Sequence, residues 1–349
     1  MADTYSSTVL QAAREWQFET MLKKFEERRD FSNVYKPFFD GQRFIEDYAE
    51  KMASLNQTQT IMYLTKPSIS ITSDKTCTPD GDLGASASVN LSWSKKVATV
   101  KVRTKQHENN ELKMGRALAN LLFSAESAMW TESSGMEAAF VSWLDTNRTY
   151  VNAISTGTVS ENTWSGAPLY TVDVAYADRV NFWNYAVHDM ELNNYGGKIW
   201  DIANTFAGTD RTFYSNQGDA NSTNYEFQFN MPSQLEFVKS NKIQPSGYVK
   251  DIHYLIPEGG VAALFYNEQM NREGRVSSDK EWSILESMIH PGIYYDLFTY
   301  ETCTDTTSHG GDKQDLVINY ELTLNYALTK QPLSTANETT IFKYRVRNT

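Results

Sequence analysis

The chain has 349 residues, of which 40% are hydrophobic and 13% aromatic, so it carries enough apolar material for one large core or two modest ones, and global disorder is excluded. Its net charge is −11 and no strongly basic run occurs, which excludes a dedicated site for duplex DNA, since such sites neutralise phosphates with Lys and Arg. No run of about 18 apolar residues is present, so no helix is expected to cross a membrane.

The polar start, Met1-Ala2-Asp3-Thr4-Tyr5, lacks the charged and apolar regions of a signal peptide, and a soluble, cytoplasmically made protein is expected. Cys77 and Cys303 read as two free thiols in a reducing compartment. The alternative is a bridge within or between subunits, which needs Cα atoms within about 7 Å.

Residues 1–56 read as an arm with two helical pieces. Val9, Ala12, Ala13, Trp16, Met21, Leu22 and Phe25 give the first, from about Thr8 to Asp30, one apolar face, while mixed charges cover the other. The segment from Pro37 to Gly41 breaks it, and Phe44, Ile45, Tyr48, Ala49 and Met52 form the second piece. Residues 57–106 change to strand patterning. Ile69 and Ile71 alternate with polar residues, as do Val89, Leu91 and Trp93, and then Val100 and Val102. Between the first two sets lies the turn-rich stretch Thr78-Pro79-Asp80-Gly81-Asp82-Leu83-Gly84. A lone hairpin has no core of its own, so this one is expected to lie on a neighbour, with another copy of the chain as a candidate. Ile69, Ile71, Val89, Leu91 and Trp93 are its candidate intersubunit contacts.

Residues 108–145 are the spine of the chain. Leu112, Met114, Ala117, Leu118, Leu121, Leu122, Ala125, Met129 and Trp130 recur at the spacing of one buried helix face. A helix over 108–132 would be roughly 37 Å long. Ser133-Ser134-Gly135 interrupts it, and Ser134 with Glu137 reads as a capping box opening a second helix through Phe140 and Trp143. Residues 151–172 read as loop, and 173–300 as mixed α/β. A helix is predicted from Val174 to Leu192, strands around Tyr225 to Phe229 and Ile252 to Ile256, and a capping box at Ser278 and Glu281 opening a helix through Trp282, Leu285 and Ile289 to Pro291-Gly292. Alternation from Leu316 to Tyr326 predicts a strand twice the usual length, with Tyr294 to Thr302 as its partner and Ile341 to Val346 as the last strand.

No phosphate-binding loop, dinucleotide fingerprint or nucleophile elbow occurs, and the reading assigns no catalytic, cofactor or metal residue. His188 and Glu191 share a helical face but lack the second His of a zinc-protease helix, and read as a polar face. Asp305, His309, Asp312 and Asp315 crowd a loop without EF-hand spacing and read as a solvated hairpin loop. His107 and His253 are isolated and read as packing or surface residues, and Asn337 and Glu338 have no evident acid–base partner.

The order of elements resembles the tailed-bacteriophage major capsid protein of the HK-ninety-seven type, a fold shared with encapsulins. The resemblance is carried by Thr58–Lys105 as extended loop, Glu108–Asp145 as spine helix, Val174–Pro291 as axial domain and Leu316–Leu328 as long peripheral strand. The stretches Tyr225 to Phe229 and Tyr254 to Gly260 also look like capsid proteins of phages of Bacteroidetes. The resemblance implies an α+β fold divided into an N-terminal arm (1–56), an extended loop (57–106), a peripheral domain with the spine helix (107–172), an axial domain (173–299) and return strands (300–349). It implies a virion shell protein, not an enzyme, that assembles with copies of itself into hexamers and pentamers around double-stranded DNA. Portal, scaffolding and decoration proteins are the further partners it implies; no scaffolding extension precedes the arm, so a scaffold would be a separate protein unless the chain is processed. An encapsulin compartment or another phage structural protein, such as a decoration or tail component, is the alternative. Crosslinking positions known in some relatives have no counterpart assigned here.

Overall fold

In the computed structural model, the chain is described over residues 5–16, 33–44, 60–64, 86–107, 110–148, 158–164, 167–175, 182–192, 195–211, 233–267, 276–277, 280–305, 314–330 and 340–347. Helix α1 (Tyr5–Trp16) and the short α2 (Tyr35–Asp40) precede a two-stranded antiparallel sheet of β1 (Thr60–Leu64) and β2 (Ser86–Asn90). Among the described residues no other strand joins that sheet. Then come β3 (Trp93–Arg103), the spine helix α3 (Glu111–Thr131) and α4 (Met136–Asn147).

The spine forms where its periodicity predicts. Asn110 caps it, its side chain accepting from Lys113 N, and Met114, Leu118, Leu122, Met129 and Trp130 are buried. Two residues assigned to that face are not on it: Leu112 is 68% and Leu121 37% exposed. Both lie one position off the buried row, where about 100° of helical rotation turns a side chain to solvent. α1 crosses close to the helix at Gly115, where a Cβ would lie 2.7 Å from the Ala12 methyl. The capping box before α4 is absent. Gly135 holds the N-cap without a side-chain bond, Glu137 is buried, and the turn is closed by backbone bonds instead.

α3 packs on a sheet of order β10-β11-β12-β13-β3, built from β10 (Val276–Ser277), β11 (Lys280–Glu286), β12 (Tyr294–Asp305) and β13 (Gln314–Lys330). The 17 residues of β13 pair with β3 along one edge, and with β12 and then β9 (Val261–Tyr266) along the other. Its long alternation is legible because Ile318, Tyr320, Leu322 and Leu324 all face the core beneath α3. Where a helix is predicted from Ser278 onward, residues 280–286 form a strand. Trp282, Leu285 and Ile289 do fall at helical spacing, but Gly292 (φ 90°) turns the chain back so that β11 pairs with β12. Short apolar runs leave that choice to tertiary pairing.

The second six-stranded sheet has the order β4-β5-β14-β8-β6-β7, from β4 (Thr158–Trp164), β5 (Ala167–Val174), β6 (Ile199–Asn204), β7 (Leu235–Ser240), β8 (Val249–Pro257) and β14 (Phe342–Arg347). β4 and β5 correct the loop expected at 151–172. Val174 ends a strand, and the helix there, α5 (Phe182–Leu192), starts later than predicted. α5 covers one face, with Val172, Leu255, Phe342 and Tyr344 beneath it. The other face, through Ile202, Tyr254 and Ile256, merges with the core under α3 and α4. The fold is α+β, and one apolar cluster ties its two sheets together.

Candidate interaction surfaces

Three polar clusters, two buried and one half-buried, hold the elements in place. Glu126, 2% exposed in the middle of α3, accepts from Ser287 Oγ, Met288 N (3.2 Å), Ile289 N (3.2 Å) and the Tyr295 hydroxyl (3.1 Å), while Trp130 Nε1 donates to that same hydroxyl at 2.8 Å. Burial pushes the Glu126 carboxyl above its usual range despite these bonds. Burial also drives the Tyr295 hydroxyl well up, assisted by Glu126. His290 on the same turn sits among Trp130, Tyr35 and Phe39, and burial lowers its pKa to about 4.

At the C-terminal end of α4, Asp145 accepts from the Tyr254 hydroxyl at 2.7 Å and pairs with Lys343 and Arg148, so α4, β8 and β14 meet on one carboxylate. Burial pushes this carboxyl up, but Lys343, Tyr254 and Arg148 together hold it below its usual value. Under α5, Asp201 accepts from Trp183 Nε1 at 3.0 Å and lies 2.9 Å from His253 Nδ1, with the Phe182 ring tilted against the imidazole. His253, expected to be isolated, therefore has a carboxylate partner. Both side chains are sealed from solvent, and the pair ties strand β6 to strand β8.

His188 and Glu191 are exposed on α5. The loop with His309 and Asp312 lies outside the described residues, as do Asn337, Glu338 and the strand expected at 225–229. An open groove of about 330 Å3 between β3, β13 and α4 is lined by Ser92, Ser94, Ser142, Trp143, Thr146 and Tyr326 among others, and no charged side chain lines it.

The surfaces that remain are those of the hairpin and sheet. Ile69, Ile71 and Cys77 lie outside the described residues, and Val89 is placed by its register opposite Ile61. Leu91, expected as an intersubunit contact, lies against its own chain in this structure. It is 7% exposed and packs with Ala262, Leu264 and Ala327 of its own chain, with half-buried Trp93 against them and near Tyr266. The strand expected to finish the excursion, β3, is instead the outer strand of the sheet beneath the spine. Sequence reading missed this because β3 alternates as any hairpin strand does, and its partner β13 lies more than two hundred positions on. Among the described residues Val97, Tyr294, Phe206 and Tyr248 are further large side chains left open to solvent.

No protein-family model matches the chain, and no curated protein does. Among solved structures, the chain is similar to the capsid of Ralstonia phage GP4, at 6% identity over 83% of this chain and 84% of that one, with a TM-score of 0.46. It is similar to a structure from Mycobacterium phage Che8, at 10% identity over 87% and 90% of the two chains, with a TM-score of 0.44. The capsid of Cyanophage P-SCSP1u gives 12% identity over 84% of each chain and a TM-score of 0.39.

Proposed function

We propose that the chain is the major capsid subunit of a tailed phage, assembling with copies of itself into an icosahedral head shell around double-stranded DNA. One observation carries the reading. A two-stranded excursion that no other described strand joins is followed by β3 and then by a 21-residue helix laid across the sheet of β3, and a 17-residue strand from late in the chain pairs with β3 in that sheet. This is the order of arm, extended loop, spine helix, axial unit and return strand that the sequence resemblance implies. The described polar clusters support a structural role, because each one joins elements that are distant in sequence.

On this reading residues 1–56 are the arm, 57 to about 92 the extended loop, the β3 sheet with α3 and α4 the peripheral domain, and the β8 sheet with α5 the axial domain. Ile69, Ile71 and Val89 are loop positions that meet a neighbouring subunit, with Trp93 at the loop's root. Portal, scaffolding and decoration proteins are separate partners, assembly takes place in the host cytoplasm, and a Bacteroidetes host fits the stretch Tyr254 to Gly260. The test is electron microscopy and sedimentation of the purified protein at assembly-permissive salt. Hexamers, pentamers or closed shells are expected; a well-folded monomer at every concentration and salt would refute the proposal.

A further inference from the structure

β3 is the last strand of its sheet, and its pairing with β13 shows which way each backbone group points. Thr104 N donates to Leu316 O, so this residue pair is one of the hydrogen-bonded pairs of the ladder. Such pairs alternate along antiparallel strands. With the register running from Arg103↔Val317 to Trp93↔Ala327, even-numbered residues of β3 bond to β13 and odd-numbered ones turn their N–H and C=O groups away from it. Beyond Trp93 at the start of the strand, the outward set is Lys95, Val97, Thr99, Lys101 and Arg103. Among the described residues no strand meets it.

The same residues are exposed through their side chains, Val97 by 49%. Exposed strand edges are templates for another strand, and proteins commonly blunt them with Pro, bulges or a covering element. β3 has no Pro, pairs with β13 without a bulge, and is 11 residues long. Among the described residues its remaining defence is charge. Lys95, Lys101 and Arg103 line the outward row, and no Asp or Glu occurs from Leu91 to His107. The carboxylate nearest in register on that face is Glu321, opposite Thr99. Two such edges would set like charges against each other, so they repel each other and favour an acidic strand. The rest of this chain, at −11 overall, is rich in carboxylates.

We propose that the outer edge of β3 is a contact between copies of this chain, at which an extended, carboxylate-bearing segment of a second copy adds as a further strand. The inference rests on the shell reading only in taking the partner to be another copy. Because the basic edge does not pair with itself, the contact is heterologous, and a heterologous contact that closes produces a ring.

The experiment compares hydrogen exchange of β3 amides in free subunits and in assembled particles, beside two variants. Thr99→Pro removes an outward N–H while leaving every β3–β13 bond in place, a position where an edge strand tolerates Pro. Lys95→Glu/Lys101→Glu leaves the backbone alone and reverses the row. Exchange at Lys95, Val97, Thr99, Lys101 and Arg103 is expected to slow on assembly, and each variant to melt near wild type yet lose at least ~10-fold in particle yield. If Thr99→Pro unfolds the subunit, the charge variant and the wild-type exchange decide. Wild-type particles whose outward amides exchange as fast as in free subunits would overturn the contact and leave the shell reading standing. Protection seen only with a different protein present would overturn the second copy as occupant. A wild-type chain that never assembles would overturn both.

Discussion

Glu126 and His290 lie on two sides of one junction and respond to acid in opposite senses. Glu126→Ala removes the acceptor for Ser287, Met288 N, Ile289 N and Tyr295 at once, inside a buried site. Unmet buried donors cost about 1–3 kcal/mol each where the site does not relax, so a loss of at least ~3 kcal/mol is expected in denaturant melts, with Glu126→Gln recovering part of it. Glu126 has its carboxyl raised on folding, so its contribution is full below about pH 4.5 and is lost as pH climbs through the raised value. His290 has its pKa lowered on folding, from 6.5 to about 4, so its contribution is full above pH 6.5 and is lost as pH falls through about 4. His290→Phe keeps an aromatic ring beside Trp130 and removes the second dependence. Relative to wild type, the variant should gain up to roughly 3 kcal/mol as pH falls from 6.5 to 4, read as melting temperature against pH. Neither role was legible in the sequence. Glu126 falls inside an apolar helical pattern, and its partners at 287–295 lie about 160 positions further on.

The same limit holds for elements. The spine, the return strand and the strand at Ile252 to Ile256 were legible because each buries a row of side chains at its own period. The strand at 280–286 was not, because Trp282, Leu285 and Ile289 satisfy helical spacing while Ser283 and Leu285 are what the fold buries. Within the spine, periodicity located the face but not its border. Leu118 has no exposed surface, whereas Leu121 is partly open to solvent. Leu118→Ala is therefore expected to cost about 2–5 kcal/mol, and Leu121→Ala under ~1 kcal/mol, in subunit unfolding. Equal losses would mean that the border of the buried face is misplaced.

At the scale of the molecule, the order of elements was legible and their wiring was not. Nothing in the sequence assigns Asp145 as the point where α4, β8 and β14 meet, since Tyr254 and Lys343 lie 109 and 198 positions from it. Cys77 and the side chain of Cys303 lie outside the described residues. Cys77→Ser/Cys303→Ser is expected to leave particles intact, and a reducible dimer on a gel, or loss of shells in the double variant, would contradict that.

The pairing of β3 with β13 also sets a clock. Thr104 bonds to a residue 212 positions further along the chain. At synthesis rates of about 5–20 residues per second, β3 and the spine leave the ribosome roughly 10–40 seconds before their partner strand exists. For that interval β3 has two bare edges. Ribosomes queued on one message hold many such strands close together, at the concentrations where nascent chains entangle. Lys95, Lys101 and Arg103 set like charges against the same strand of a neighbouring nascent chain, and a row of cations of this kind disfavours such pairing until the chain can close its own sheet.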